Sequence, residues 1–446
     1  MDFIGSDREQ LQEMLRTIGV EKVEELFEAV PSSLMLPAPE RDDGMSEWEG
    51  RKLIERIAAQ NSFGHYDSFL GAGAYDHQTL AIVGAICAKS EFLSSYTPYQ
   101  AEISQGLLQA LFEFQSAICA LTGLEVANGS VYDGGSACAE AALMALRALK
   151  GRKKLFISHL VHPHYRAIVE QYVEGYGAEV CLLPMDRKGM TDLQQAQALL
   201  DEEGAALLFQ SPNFLGIFEE GEKLSALAHQ KGMLSILCAN PLSYGLFASS
   251  SDQGADIAVG DCQPLGLPLQ FGGPYAGYMA TTSQWMRQLP GRIVGRTEDS
   301  EGRSGYVLTL QAREQHIRRE KATSNICTNQ ALAALASLTT ILWYGAEGLA
   351  HLAKTNWQRA SFLKRELDKL PALKTLGGGR CFNEFVVTFP MDIEEVVNHF
   401  QRWGICPGVP LDRWYPELGE SLLVCVTETK GIEQLQRYLE VAEMIV

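Results

Sequence analysis

The chain has ten cysteines in 446 residues, yet no two lie within four positions of each other, so neither a redox pair nor a thiolate zinc knuckle is spelled out. Buried, reduced and inert thiols are the expectation. No apolar run approaches the roughly 20 residues that span a bilayer. The opening Met1-Asp2-Phe3-Ile4-Gly5-Ser6-Asp7 also lacks a basic region followed by an apolar one. No membrane is expected as a partner, and a cytoplasmic protein is. Positive charge is scarce: 37 Lys and Arg stand against 55 Asp and Glu, a formal net charge of −18. Nucleic acid is not expected as a main partner, because a backbone-phosphate binder would have to hide its basic surface locally. Internal repeats and low-complexity tracts are absent as well.

What is present is an apolar fraction of 46%, enough to bury a sizeable core in two globular domains or in one large domain with an appended one. The stripe Leu11, Met14, Leu15, Ile18, then Val20, Val23, Leu26 and Phe27, implies two short amphipathic helices that end at Val30-Pro31. The Pro- and Asp-rich stretch from Pro37 to Gly50 reads as a linker, so residues 1–60 are expected to form an arm. Strand-like runs then alternate with helical spacing: Lys154–Ser158, Glu179–Leu183, Ala206–Gln210, Leu234–Cys238, Asp256–Val259 and Ala276–Ala280. That alternation is the pattern of a doubly wound, mostly parallel α/β sheet over residues 61–328, with a ligand crevice at the carboxyl ends of its strands. From about Asn329 a long helix leads into a small α+β domain, residues 329–446.

Four segments could carry chemistry. In Asp133-Gly134-Gly135-Ser136 two glycines and an N-capping serine open an alanine-rich helix, and exposed N–H groups with the helix dipole favour an anion such as a phosphate. A structural cap explains the same residues. The loop Tyr96-Thr97-Pro98-Tyr99-Gln100-Ala101-Glu102-Ile103-Ser104-Gln105 is dense in hydroxyls and amides, which suits a polar site, an interface, or a loop that satisfies its own backbone. Gly71 and Gly73 permit close backbone approach in a second loop but fit no dinucleotide fingerprint. Arg313 to Asn325 concentrates positive charge; it is either an anion site or a solvated helix with Glu–Arg pairs, and Thr323-Ser324-Asn325 is expected to cap the long helix. The cluster His159, His162, His164 has Pro163 interrupting it and no nearby carboxylate, so a stacked ring is expected there and no metal site.

Taken together, Phe69-Leu70-Gly71-Ala72-Gly73, Tyr96-Thr97-Pro98-Tyr99-Gln100, Glu102-Ile103-Ser104-Gln105-Gly106, Tyr132-Asp133-Gly134-Gly135 and Arg319-Glu320-Lys321-Ala322-Thr323-Ser324-Asn325-Ile326-Cys327-Thr328 closely resemble the glycine cleavage system P-proteins. Within them, the match is to the first subunit of the two-subunit glycine dehydrogenase (decarboxylating) type. The resemblance covers essentially the whole chain. It implies the aspartate aminotransferase-like fold of type I pyridoxal phosphate enzymes and a homologous second subunit, as an α2β2 heterotetramer. It further implies glycine as substrate, transfer of the aminomethyl group to the lipoyl arm of H-protein, and a functional link to T-protein and L-protein.

Such an enzyme needs a lysine after the late strands to form an imine with the cofactor. Between Lys231 and Lys321 this chain has none, and the expected position reads Gly260-Asp261-Cys262-Gln263. The carboxylate that would keep the pyridine nitrogen protonated is likewise missing at Cys238-Ala239-Asn240. The expectation is a catalytically degenerate subunit whose partner binds pyridoxal phosphate covalently. Tyr96, Tyr99, Gln100, Glu102, Ser104, Gln105, Thr323, Ser324 and Asn325 are then the residues to reach the partner's pocket. A non-catalytic scaffold and a self-sufficient aminotransferase or decarboxylase are the rivals, and the lysine gap argues against the latter.

Overall fold

The computed structural model describes residues 5–36, 44–377 and 380–445, and the chain divides at Gly64/His65 into two compact units. In the smaller unit, α1 (Arg8–Ile18) starts at Asp7, whose carboxylate accepts from Gln10 N, and stops at Gly19 in the left-handed conformation. Among the described residues of this unit only Leu15 is buried. The second expected amphipathic helix is a single 3₁₀ turn, Val23–Phe27. Conversely, α2 (Glu47–Ala58) begins inside the stretch read as linker, because Ser46 and Glu49 form a reciprocal cap that outweighs the preceding breakers. The first part of that linker, Pro37 to Asp43, lies outside the described residues.

The larger unit holds a seven-stranded sheet of β1 (Val126–Ala127), β2 (Lys154–Ser158), β3 (Glu179–Leu183), β4 (Gly204–Gln210), β5 (Leu234–Cys238), β6 (Ile257–Asp261) and β7 (Gly277–Thr281). Their spatial order is β1-β7-β6-β5-β4-β2-β3; β2 to β6 run parallel, and β7 pairs antiparallel with both β6 and β1. Near-continuous apolar runs form β2, β4, β5, β6 and β7 because both faces are covered there, whereas the edge strand β3 is part-exposed. Leu155, Ile157, Leu208 and Ile236 face α4 (Gly134–Ala148) and α5 (Pro163–Gly175), which follow α3 (Gln105–Thr122). Phe156, Leu207, Phe209 and Leu237 face α6 (Leu193–Leu199) and α7 (Gly221–Gln230). Chain order reverses between β2 and β4, which places a crevice at the carboxyl ends of those strands.

A hairpin of β8 (Ile293–Glu298) and β9 (Ser304–Thr309) follows, a pairing hidden in sequence by its charged turn. Next comes α8 (Ala331–Leu367), with non-helical backbone at Gly345. Thr323-Ser324-Asn325 does not cap it: the helix starts at Ala331, and Ser130 Oγ instead accepts from Gln330 N at 3.1 Å. Among the described residues, α8 is the one helix long and apolar enough to match a membrane span. Its Ala334, Leu338, Leu352 and Leu363 are core residues. A four-stranded antiparallel sheet, β10 (Lys374–Thr375), β11 (Glu384–Thr388), β12 (Val409–Pro410) and β13 (Ser421–Cys425), packs with α9 (Ile393–Arg402) and α10 (Ile432–Glu443) around Phe385, Phe400 and Tyr438.

Because Leu208 is fully buried at the centre of β4, Leu208→Ala is expected to cost about 2–5 kcal/mol through lost contacts and a residual cavity. The reading is a lower denaturation midpoint of the purified chain with unchanged far-ultraviolet circular dichroism.

Candidate functional site

The crevice is built from loop residues that the strands deliver to one edge. A cleft of about 460 Å³, bordered by Gly73, Asp133, His164, Tyr165, Asp261 and Tyr275, shares its inner wall with a polar cavity of about 30 Å³ between Tyr75, His162, Asn240 and Glu384. Neither is lined by Lys or Arg, whereas Asp133, Asp261 and Glu384 all contribute.

At the start of α4 the cap is Asp133, not Ser136: its Oδ1 accepts from Ser136 N at 2.7 Å. The side chain that satisfies the first turn is a carboxylate one residue ahead of the two glycines. Gly134 N donates to Asp261 Oδ2 at 2.9 Å, and Asp261 Oδ1 takes Gln263 N at 2.8 Å. Two of the donors that would meet a foreign anion at this helix start therefore already hold the chain's own carboxylates. Gly134 is glycine because a Cβ there would sit 2.5 Å from Tyr165 Oη. Burial pushes Asp261 up to about 7 against those two hydrogen bonds, with Asp133 adding repulsion.

Glu384, at the head of β11, accepts from Ala72 N at 2.7 Å and Tyr75 Oη at 2.8 Å, and burial raises it to about 7. Burial lowers His162 to about 4, so its ring is neutral. Its Nδ1 accepts from His164 N at 3.1 Å, which leaves the proton on Nε2, donated to Ala72 O at 2.8 Å. The same ring stacks on Tyr165, centroids 4.5 Å apart. Asn240 Oδ1 accepts from Leu242 N while its Nδ2 has no partner among the described residues. The residues present do not fit pyridoxal phosphate: there is no amine for an imine, no cation for the phosphate, and acidic walls where that phosphate would sit.

Of the other sequence-derived candidates, Tyr99 lies against Arg292. This arginine is buried and donates to Cys327 O at 2.6 Å and to Asn329 Oδ1 and Tyr99 Oη, each at 3.3 Å. Its guanidinium also lies over the Tyr99 ring, 5.1 Å from the centroid. The hydroxyl-rich loop and the segment ending at Cys327 are thus tied to one cation. Ser324 Oγ donates to Glu140 Oε1 on α4 at 2.6 Å, and Thr323 N to Arg313 O at 3.0 Å. Gln105 clamps β9, accepting from Tyr306 N and donating to Tyr306 O, both at 2.9 Å. Ser104 is half-buried, whereas Tyr96, Gln100, Glu102 and Asn325 are exposed. Gly135 and Ser136 lie in the first turn of α4. The Arg313–Asn325 stretch is not one solvated helix but holds two short turns, Gln315–Arg318 and Arg319–Lys321; Arg313 ahead of them and Arg318 within them donate to backbone carbonyls.

Asp133, Asp261 and Glu384 were not singled out by sequence reasoning as crevice carboxylates. Glu384 had a signal, a charge opening the apolar run Phe385-Val386-Val387; Arg292 had none.

The family model for the glycine cleavage system P-protein matches residues 1–442. A probable glycine dehydrogenase (decarboxylating) subunit 1 from Protochlamydia amoebophila is 56% identical over 443 residues, 99% of each chain. A relative of the same description from Desulfitobacterium hafniense is 45% identical over 439 residues, 98% of each. The crystal structure of a glycine decarboxylase (P-protein) in inhibitor-bound form superposes with a TM-score of 0.92 at 41% identity, covering all of both chains. A Burkholderia pseudomallei sphingosine-1-phosphate lyase, TM-score 0.68 and 16% identity over 94% of each chain, shares the fold alone.

The buried carboxyl of Glu384 makes stability depend on pH. Folding raises it from 4.5 to about 7, so the folded chain holds a proton there that the unfolded chain has lost. Its contribution is full below the unfolded value and is lost as pH rises toward 7. Glu384→Gln keeps an acceptor for Ala72 N and an amide for Tyr75 Oη. It is expected to be near neutral at pH 5 and stabilising by ~2 kcal/mol at pH 8, read from melting temperatures across that range.

Proposed function

The chain belongs to the glycine cleavage system P-protein family, a subunit of glycine dehydrogenase (decarboxylating), and on that premise we propose that it is the half of the enzyme that holds no pyridoxal phosphate. The observation that carries this reading is Asp261 on Gly134 N, where a cofactor phosphate would need a free donor. The lysine-free stretch between Lys231 and Lys321 supports it. The homologous second subunit of an α2β2 assembly binds the cofactor covalently, and that cofactor supplies an electron sink for the carbanion left when glycine loses CO2.

This chain's own part is to complete the pocket of its neighbour. Tyr96 and Gln100 are exposed and free of partners within the described residues, so their hydroxyl and amide are available to an anionic group on the other side of an interface. Tyr99 is held by Arg292 and keeps the loop in place; Glu102 orients its donors, and Ser104 and Gln105 root it at α3. Thr323, Ser324 and Asn325 form the second edge. The arm, residues 1–60, clasps the neighbour through Leu11, Met14 and Ile18, which are exposed. The lipoyl arm of H-protein accepts the aminomethyl group, T-protein and L-protein act downstream of that transfer, and the assembly works in the cytoplasm.

Two outcomes are expected. Borohydride reduction of the assembled enzyme followed by peptide mapping yields pyridoxyl-lysine only in the second subunit; a pyridoxyl-lysine in this chain overturns the proposal. Tyr96→Phe or Gln100→Ala lowers glycine decarboxylation and exchange by about tenfold, roughly 1.4 kcal/mol of barrier, with assembly intact by sedimentation. Unchanged turnover assigns the loop to the scaffold alone.

A further inference from the structure

On the larger unit, away from the acidic crevice, the carboxyl end of α4, the turn into β2, the turn after α5 and the segment Gln315–Lys321 enclose a cleft of about 750 Å³. Its walls carry Arg147, Lys150, Arg152, Lys153, Arg318 and Lys321, and no carboxylate. In a chain of net charge −18 this is a local reversal of sign. Solvated surface lysines are the ordinary explanation for such a cluster, but the neighbouring chain segment shows what this fold does with a lysine it intends to neutralise. Lys154 sits 2.7 Å from Asp201 and 2.8 Å from Glu203. None of the six cleft cations has a carboxylate within salt-bridge distance among the described residues.

Arg147 makes the point at the cleft's base. Its Nε and Nη2 are buried without a partner among the described residues, and Glu140, the carboxylate that acts on it electrostatically, has one oxygen engaged by Ser324 Oγ. A desolvated guanidinium with idle donors gains from an incoming carboxylate. Lys150, Lys153, Arg318 and Lys321 are exposed around the rim and do not converge on one buried centre. This spacing fits the spread charges of a protein surface better than one small polyanion. Arg318 and Lys321 also belong to the segment that presents Thr323–Asn325, so the cleft is continuous along the chain with the proposed reaction edge.

We propose that this cleft docks an acidic face of the lipoyl-bearing acceptor protein, an inference that rests on the function proposed above. The acidic remainder of the chain repels such a partner, which leaves the cleft as its landing point and steers its approach. Docking beside the reaction edge brings the tethered acceptor within reach and makes its encounter effectively intramolecular.

The test uses the assembled two-subunit enzyme carrying Lys150→Glu and Lys153→Glu, assayed with lipoylated carrier protein and, separately, with free lipoamide as acceptor. KM for the carrier is expected to rise about tenfold or more, with kcat retained and its salt dependence flattened, while turnover of lipoamide is unchanged. Lys150→Gln with Lys153→Gln gives a smaller rise of the same kind and guards against misassembly. An unchanged carrier KM overturns the proposal, as does an equal loss with both acceptors. Inhibition by tripolyphosphate that is as strong with lipoamide as with the carrier also overturns it, in favour of a small-anion site. Absence of turnover with either acceptor in the unsubstituted enzyme instead defeats the underlying functional reading.

Discussion

The hydrogen bond from Gly134 N to the Asp261 carboxylate is the constraint on which the crevice depends. A helix start on a parallel sheet is a standing invitation to an anion, because its first N–H groups have no partner and its dipole is positive there. In this chain the end of β6 delivers a carboxylate to that spot, and Asp133 takes the next donor. The helix is capped without any ligand, and burial lifts the Asp261 carboxyl close to neutrality. The fold thereby keeps the architecture of a cofactor enzyme while removing the electrostatics that would hold the cofactor.

The same internal satisfaction extends across the crevice. Glu384 is tied to the Gly71–Tyr75 loop through Ala72 N and Tyr75 Oη, and Gln263 ties that loop to the end of β6 through Tyr75 N and O. The small C-terminal sheet is thus joined to the main sheet by polar contacts across the site. Around Arg292, in contrast, hydrogen bonding fixes the backbones of two exposed segments and leaves Tyr96, Gln100 and Asn325 unengaged. The crevice is thus closed upon itself by its own hydrogen bonds, whereas these three side chains are left exposed.

Much of this was legible in the residues. The alternation of apolar runs with helical spacing located six strands of the main sheet within about two residues at each end, since a strand buried on both faces leaves an unbroken apolar signature. The missing lysine, the Asn240 substitution and the hydroxyl-rich loop were visible too, and the family resemblance that they carried agrees with the relatives now identified. Ser46 and Glu49 show where local reading fell short: a reciprocal cap started a helix inside an apparent linker.

By itself the sequence determined the fold class, the absence of an imine-forming lysine late in the sheet and the excess of negative charge, because each is a property of residue type and period along the chain. Only the tertiary structure decided which groups meet. Asp261 and Gly134 are 127 positions apart, and Glu384 and Ala72 are 312 apart. The six cleft cations come from two stretches of chain, Arg147–Lys153 and Arg318–Lys321. Charge and hydrogen bonding act over a few ångströms of space irrespective of distance along the chain, so a helix start that reads as an anion site is filled from elsewhere, and a basic cleft emerges from an acidic sequence.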